Sequence, residues 1–192
     1  MAATIEITKA KPIVGKKVFY FIQSVDAEKG SKAILPAYRT DGKTKMGGDF
    51  IDEQTQQGRV IEKATDEHSI DLTSYYTPLD KAIDVVEKAK ATGKSVKVWR
   101  VIADESLKTT SEDSELSGKD VYPAKFGYGK IDEIEYNEGI ADLVEANYTL
   151  NIVDSLKDGK FPLTEEDIAL LTSVYEYQNP GETTGDYDNI TK

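Results

Sequence analysis

The sequence predicts a mainly β protein built on a strongly curved sheet. One flanking α-helix, a long hairpin loop and two terminal arms complete the prediction. Three observations carry it. Lys94–Ala103 (KSVKVWRVIA) and Val121–Tyr136 (VYPAKFGYGKIDEIEY) are rich in β-branched and aromatic residues, the types that fit a pleated, half-buried surface. The second segment holds Gly127 and Gly129, and glycines inside a strand mark bends or bulges of a curved sheet. Leu143–Val153 alternates, with Val144, Ala146, Tyr148, Leu150 and Ile152 on one face and Glu145, Asn147, Thr149 and Asn151 on the other. That is the period of a strand with one apolar and one polar face.

The remaining elements follow in chain order. Residues 1–15 read as an arm, because weak alternation over Thr4–Thr8 is broken by Pro12 and Gly15. Lys16–Ser24 contains the continuous apolar run Val18-Phe19-Tyr20-Phe21-Ile22, expected where both faces of a strand are covered. Ala33–Arg39 reads as a second strand, and Pro36 puts it at an edge or bulge. Thr40–Asp66 is polar and glycine-bearing, with Phe50, Ile51, Val60 and Ile61 as its apolar anchors. A weakly patterned stretch of this length is unusual inside a compact domain, so a long hairpin that orders against a neighbour is expected. Ser69–Tyr76 alternates as a strand.

A helix is expected over residues 77–93. Thr77 would be its N-cap, Pro78 its first residue, and Asp80 would sit in the first turn. Leu79, Ala82, Ile83, Val86 and Ala89 form the buried stripe, and Gly93 ends it. After the 16–154 β domain, residues 155–192 form an acidic extension. Thr164 and Asp167 resemble a capping box, placing a short helix over 165–175.

The net charge of −11 is unevenly placed. Residues 1–130 hold 21 basic and 20 acidic side chains, whereas residues 131–192 hold 3 and 15. Such a field disfavours nucleic acid as a bound ligand; it fits a solvated acidic tail that aids solubility, and it also suits a surface past which nucleic acid slides. The chain has no cysteine, which excludes disulfides and thiolate metal sites and fits synthesis in a reducing cytoplasm. No apolar run is long enough for a membrane span, and the start MAATIEITKAKP lacks a signal-peptide core.

Chemistry finds little footing. His68 is the one histidine, without a neighbouring nucleophile motif, so a structural role is expected. Neither GxGxxG nor a Walker A sequence is present. No cofactor or metal is expected, and no enzyme activity. The 11 tyrosines leave open a monomeric β-sandwich module that binds carbohydrate or a host surface.

The order of elements resembles the major tail (tail tube) protein family of long, non-contractile-tailed bacteriophages of Gram-positive hosts. The likeness rests on Lys11-Pro12-Ile13-Val14-Gly15-Lys16, on Val96-Lys97-Val98-Trp99-Arg100-Val101, and on Tyr122-Pro123-Ala124 with Gly129-Lys130-Ile131. The resemblance implies a β-sandwich, or partly open barrel, of two packed sheets flanked by one helix. It also implies a virion structural protein, made in the bacterial host cytoplasm, that forms hexameric rings stacked into a tail tube. DNA would pass through the tube without specific binding. Other tail components (tape measure, terminator, distal tail protein) would be partners, and no membrane is involved. By position, the hairpin 40–66 would make the inter-ring contact through Asp41, Lys43, Lys45, Phe50, Ile51 and Arg59. Ile5, Ile7 and Lys9 of the arm would join in assembly. Asp132, Glu133, Glu135 and Glu145 are candidates for an acidic lumen surface.

Overall fold

The structure, a computed structural model, describes residues 10–111, 116 and 118–172. Its elements are β1 (Val18–Ser24), β2 (Arg39–Thr55), β3 (Gly58–Tyr75), α1 (Lys81–Thr92), β4 (Val96–Ile102), β5 (Thr109–Thr110), β6 (Asp120–Asn137), β7 (Glu145–Ile152), β8 (Lys157–Pro162) and α2 (Glu165–Thr172). The strands form one antiparallel sheet in the order β1-β4-β6-β7-β3-β2, with β5 and β8 paired to β6. The fold is mainly β with a flanking helix, as the sequence predicts. The two packed sheets are the two arms of this one continuous sheet.

β6 joins the arms. Its first half lies between β4 and β8, and its second half pairs with β7. The arms fold over a shared core that unites Tyr20, Ile22, Val96 and Val98 with Ile70, Leu72, Tyr148 and Leu150. At the open side the Tyr20 hydroxyl lies 3.1 Å from Thr44 Oγ1. There the Arg39 guanidinium donates to the Val18 carbonyl at 3.0 Å and sits over the Tyr20 ring. The crossing in β6 requires close approach: a Cβ on Gly127 would stand 2.9 Å from Ile152 Cγ2, and one on Gly129 would stand 2.9 Å from Leu150 Cβ.

Helix α1 buries Ala82, Ile83, Val86 and Ala89 in that core, as its apolar period requires. Its start differs from the expected one. Asp80, not Thr77, is the N-cap, and its carboxylate accepts the Ala82 N–H at 2.8 Å. Leu79 adopts φ +69° and is 93% exposed, so it stands outside both the helix and the buried stripe. Gly93 closes the helix in the left-handed conformation, at φ +66°.

A second apolar cluster covers the other face of β1 and β4. Phe21, Val101, Tyr122, Ala124 and Leu163 pack with Phe161 and with Ile168 and Leu171 of α2. Burial on both faces explains the continuous apolar run in β1. The capping box is reciprocal: the Asp167 carboxylate accepts the Thr164 N–H at 2.9 Å, and Thr164 Oγ1 accepts the Asp167 N–H at 3.1 Å. Residues 173–175 of the expected helix, the chain beyond them, and Ile5, Ile7 and Lys9 lie outside the described residues. Ala33–Arg39 is not a strand. Only Ile34 bridges to Ile22, and Tyr38 turns the chain at φ +45°. β8 is a strand the sequence reading did not contain.

Candidate functional site

The sheet presents three exposed surfaces. The first is the hairpin. β3 pairs with β7 only over Ser69–Tyr75, so residues 58–68 and the β2 stretch opposite them project beyond the body. At about 3.3 Å per residue the overhang is about 35 Å. It turns at Gln56-Gln57, and Gly58 takes φ +133°. The register sets Phe50 opposite Lys63, Ile51 opposite Glu62, Asp52 opposite Ile61 and Glu53 opposite Val60. Strand alternation therefore puts Phe50 and Ile61 diagonally on one face, and Ile51 and Val60 diagonally on the other. All four are exposed. One cross-strand ion pair, not a core, links the two strands. Arg59 Nε donates to Asp52 at 2.7 Å, which lowers the Asp52 carboxyl from its ordinary range. Lys63 Nζ lies 2.6 Å from Asp66. A two-stranded ribbon alone is marginally stable, and this one leaves both faces uncovered.

The second surface is the opposite end of the same strands. The Tyr75 N–H donates to the Tyr38 carbonyl at 3.2 Å, and the Tyr76 N–H donates to the Val144 carbonyl at 2.7 Å. These bonds gather three loops where β3 ends. Tyr38, Tyr76, Leu79, Ile140 and Leu143 are all exposed on them. The sheet thus carries exposed apolar side chains at both ends of its long axis.

The third surface is the outer face of β2, β3, β7 and β6. Even-numbered residues of β7 enter the core, so odd-numbered ones face out, and pairing carries that face across the sheet. Asp41 aligns with Thr73, Asn147 and Glu135, and Lys45 aligns with Ser69, Asn151 and Lys130. Between them, Lys43 aligns with Asp71 and Thr149, opposite the irregular Asp132–Glu133 step of β6. Polar bonds tie the strands together. Thr73 Oγ1 donates to Asn147 Oδ1 at 2.6 Å, Thr149 Oγ1 to Asp71 at 2.8 Å, and Asn151 Nδ2 to Asp132 at 2.7 Å. The outer edge of β2 has no strand partner among the described residues, nor has β6 beyond Gly129 on the side of β4.

The candidate residues fall into separate places. Phe50, Ile51 and Arg59 lie on the projecting hairpin. Asp41, Lys43 and Lys45 do not: they belong to the part of β2 paired within the body, on the polar face. Asp132, Glu133 and Glu135 lie on β6 of that face, and Glu145 begins β7. The lysines among them make the face mixed in charge rather than purely acidic. The sequence reading does not find these base loops: it places Tyr38 in a strand and Leu79 in the buried stripe of the helix, and Ile140, isolated in a loop, shows no period.

His68 has a structural role: its Nδ1 accepts the Leu156 N–H at 2.9 Å, tying β3 to the turn before β8. A cleft of about 470 Å³ opens between the arms, lined by Lys16, Arg39, Asp41 and Arg100 among others. Among the described residues no three His, Asp or Glu side chains converge as a metal site, and no helix is long and apolar enough to cross a membrane.

No protein-family model matches the chain. It is 35% identical over 176 residues to the tail tube protein gp17.1* of Bacillus phage SPP1, an alignment covering 91% of the chain and 62% of that relative. The chain thus spans less than two thirds of the relative's length. A solved structure of the SPP1 tail tube superposes with a TM-score of 0.64 at 29% identity, covering 91% of this chain and 96% of that one. The tail of an empty gene transfer agent particle matches with a TM-score of 0.55 at 13% identity, over 76% and 98% of the two chains. The tube-terminating cap of the anti-feeding prophage matches at 0.54 and 13%, over 84% and 100%. The last two likenesses concern the fold alone.

Proposed function

We propose that this chain, a relative of the siphophage tail tube proteins, is a structural protein of the virion tail that polymerises as stacked rings into a tube for DNA. The observation that carries the reading is the four-stranded β6-β7-β3-β2 arm, whose two outer edges have no strand partner among the described residues; beyond Gly129 the β6 edge meets the end of α1, where Lys90 Nζ donates to the Asp132 carbonyl. Neighbouring strands alternate in direction, and four is an even number. A copy related by rotation therefore presents its β6 antiparallel to this β2, and the sheet continues from subunit to subunit. Edge joining removes the unpaired strands that would otherwise aggregate, and a heterologous contact that closes on rotation makes a ring. Six subunits per ring is the number the tail tube resemblance implies.

Stacking uses the two ends. The hairpin of one ring, with Phe50, Ile51, Val60 and Ile61 bare on both faces, reaches the next ring and seats on its Tyr38, Tyr76, Leu79, Ile140 and Leu143. Head-to-tail contacts along the axis do not close, so they build a filament. The N-terminal arm with Ile5, Ile7 and Lys9 joins the assembly, and the tube ends on tape-measure, terminator and distal tail partners. The polar face lines the lumen, where mixed charges and hydrogen-bonded side chains leave no apolar or basic patch to hold DNA. The role is structural, without catalysis. A monomeric binding module would leave the hairpin's apolar faces permanently in water.

Replacing residues 49–65 by a two-residue turn tests the reading. The variant is expected to stay folded and monomeric by sedimentation while the parent forms tubes. Tubes of ordinary length from the variant would overturn the role of the hairpin.

A further inference from the structure

We infer that the seam between neighbouring subunits closes in one register, selected by charge: Lys45 of β2 faces the Asp132–Glu133 bulge of the next copy's β6, and Lys43 faces Glu135. The inference rests on the ring reading above. It follows from the order of charges along the two free edges. On the outer face β2 presents Asp41, Lys43 and Lys45, while β6 presents Lys130, the Asp132–Glu133 bulge, Glu135 and Asn137. None of Lys43, Lys45, Glu133 and Glu135 has an ion-pair partner among the described residues. They are exposed, and their charges are complementary.

Five registers are worth comparing. Within one subunit the rows run from Lys45 to Lys130, from Lys43 to the bulge, and from Asp41 to Glu135. A seam with no stagger repeats these rows between copies. It sets Lys45 against Lys130 and Asp41 against Glu135, two like-charge pairs. A one-residue shift turns every side chain to the wrong face. A two-residue shift in one direction sets Lys43 against Lys130 and Asp41 against the acidic bulge, again two clashes. The same shift in the other direction sets Lys45 against the bulge, Lys43 against Glu135, Asp41 against Asn137 and Gly47 against Lys130. This register alone has two attractive pairs and no repulsive one. A four-residue shift keeps only Lys45 opposite Glu135 and shortens the overlap. Closing a sheet into a barrel requires a stagger of the strands, and the charges supply its direction. Directly opposed charges act favourably or unfavourably across a strand pair, and a ring repeats each pair at every seam.

The acidic residues of β6 therefore have a second consequence. Part of their charge is neutralised by the lysines of the adjacent β2, so the lumen face is a ring of ion pairs rather than a bare anionic wall.

The absence of cysteine makes the register directly readable. Opposed Cβ atoms in a strand pair lie about 4.5–5.5 Å apart, close enough for a disulfide after slight adjustment. Tubes of K43C/E135C, gently oxidised, are expected to give a ladder of covalent multimers on a denaturing gel, while D41C/E135C and K43C/K130C stay monomeric. A ladder from D41C/E135C or K43C/K130C, or none from any pair in intact tubes, would overturn the register and leave the tube standing. Failure of the unmodified chain to form any tube would overturn the ring reading itself. As a second readout, K43E is expected to raise the concentration needed for tubes about tenfold, and K43E/E135K to restore it. Absence of rescue in a folded double variant would count against the pairing.

Discussion

Removing apolar side chains from the projecting hairpin should weaken assembly without weakening the subunit. Phe50→Ser with Ile61→Ser strips one face of the ribbon. In the isolated chain Phe50 is 69% and Ile61 is 51% exposed, so neither contributes much to the folded monomer. Burying a whole side chain of this kind is worth about 1.5–3 kcal/mol. Scaling by the exposed fraction leaves about 1–2 kcal/mol for Phe50 and about 1 kcal/mol for Ile61 on contact with the next ring. Their joint loss, about 2–3 kcal/mol per subunit contact, raises the critical concentration for tube growth by about two decades. Light scattering against protein concentration measures that shift. Urea denaturation of the unassembled subunit should differ from the parent by less than about 0.5 kcal/mol, the usual range for exposed positions. A stacking role for these side chains is refuted if the critical concentration stays unchanged. It is also refuted if the subunit loses stability in step with assembly, which would make these side chains part of a core.

Other expectations concern the fold that presents these surfaces. Gly127→Val drives a Cβ into Ile152 and Leu156 and should destabilise by about 1–3 kcal/mol in urea titration, the range for overpacking. Asp80→Ala removes the N-cap of α1 and also the acceptor of the Ala37 N–H; a loss of about 1–2 kcal/mol is expected by the same measurement. His68→Ala leaves the Leu156 N–H without its acceptor and should lower stability by about 1 kcal/mol. Asp104 accepts from Lys17 and Ser106, which hold its carboxyl well below the ordinary value of 3.8. Its folded-state pKa is depressed, so its contribution is present above pH 3.8 and is lost as pH falls from there toward the lower folded value. Asp104→Asn should therefore make the urea midpoint less sensitive to acid below about pH 4 than it is in the parent.

Much of the fold was legible because burial leaves a period in the sequence. β7 alternates because one face enters the core and the other meets solvent. β1 reads as a continuous apolar run because α1 and the core lie on one side and α2 on the other. The hairpin was legible only as an anomaly. Its strands bury nothing within the subunit, so no apolar period marks them, and only Phe50, Ile51, Val60 and Ile61 stand out as apolar residues in a polar stretch. β8 escaped notice because Lys157-Asp158-Gly159-Lys160 pairs through its backbone, with only Phe161 packing inward. The start of α1 was misplaced because Thr77-Pro78 carries as good a helix-start signal as Asp80. What decides between them is the backbone of Leu79, which turns left-handed. The polar face could not be assembled from sequence at all. Lys43, Asp71, Thr149 and the Asp132–Glu133 bulge are remote along the chain, and only strand register brings them into one row.

Polymerisation into a tube is tested by electron microscopy of negatively stained, purified protein across a concentration series. The expected result is rings with a central channel that stack into tubes as concentration rises. A folded protein that stays monomeric at every concentration, and that also fails to extend tubes seeded by pre-formed tail fragments, would contradict it.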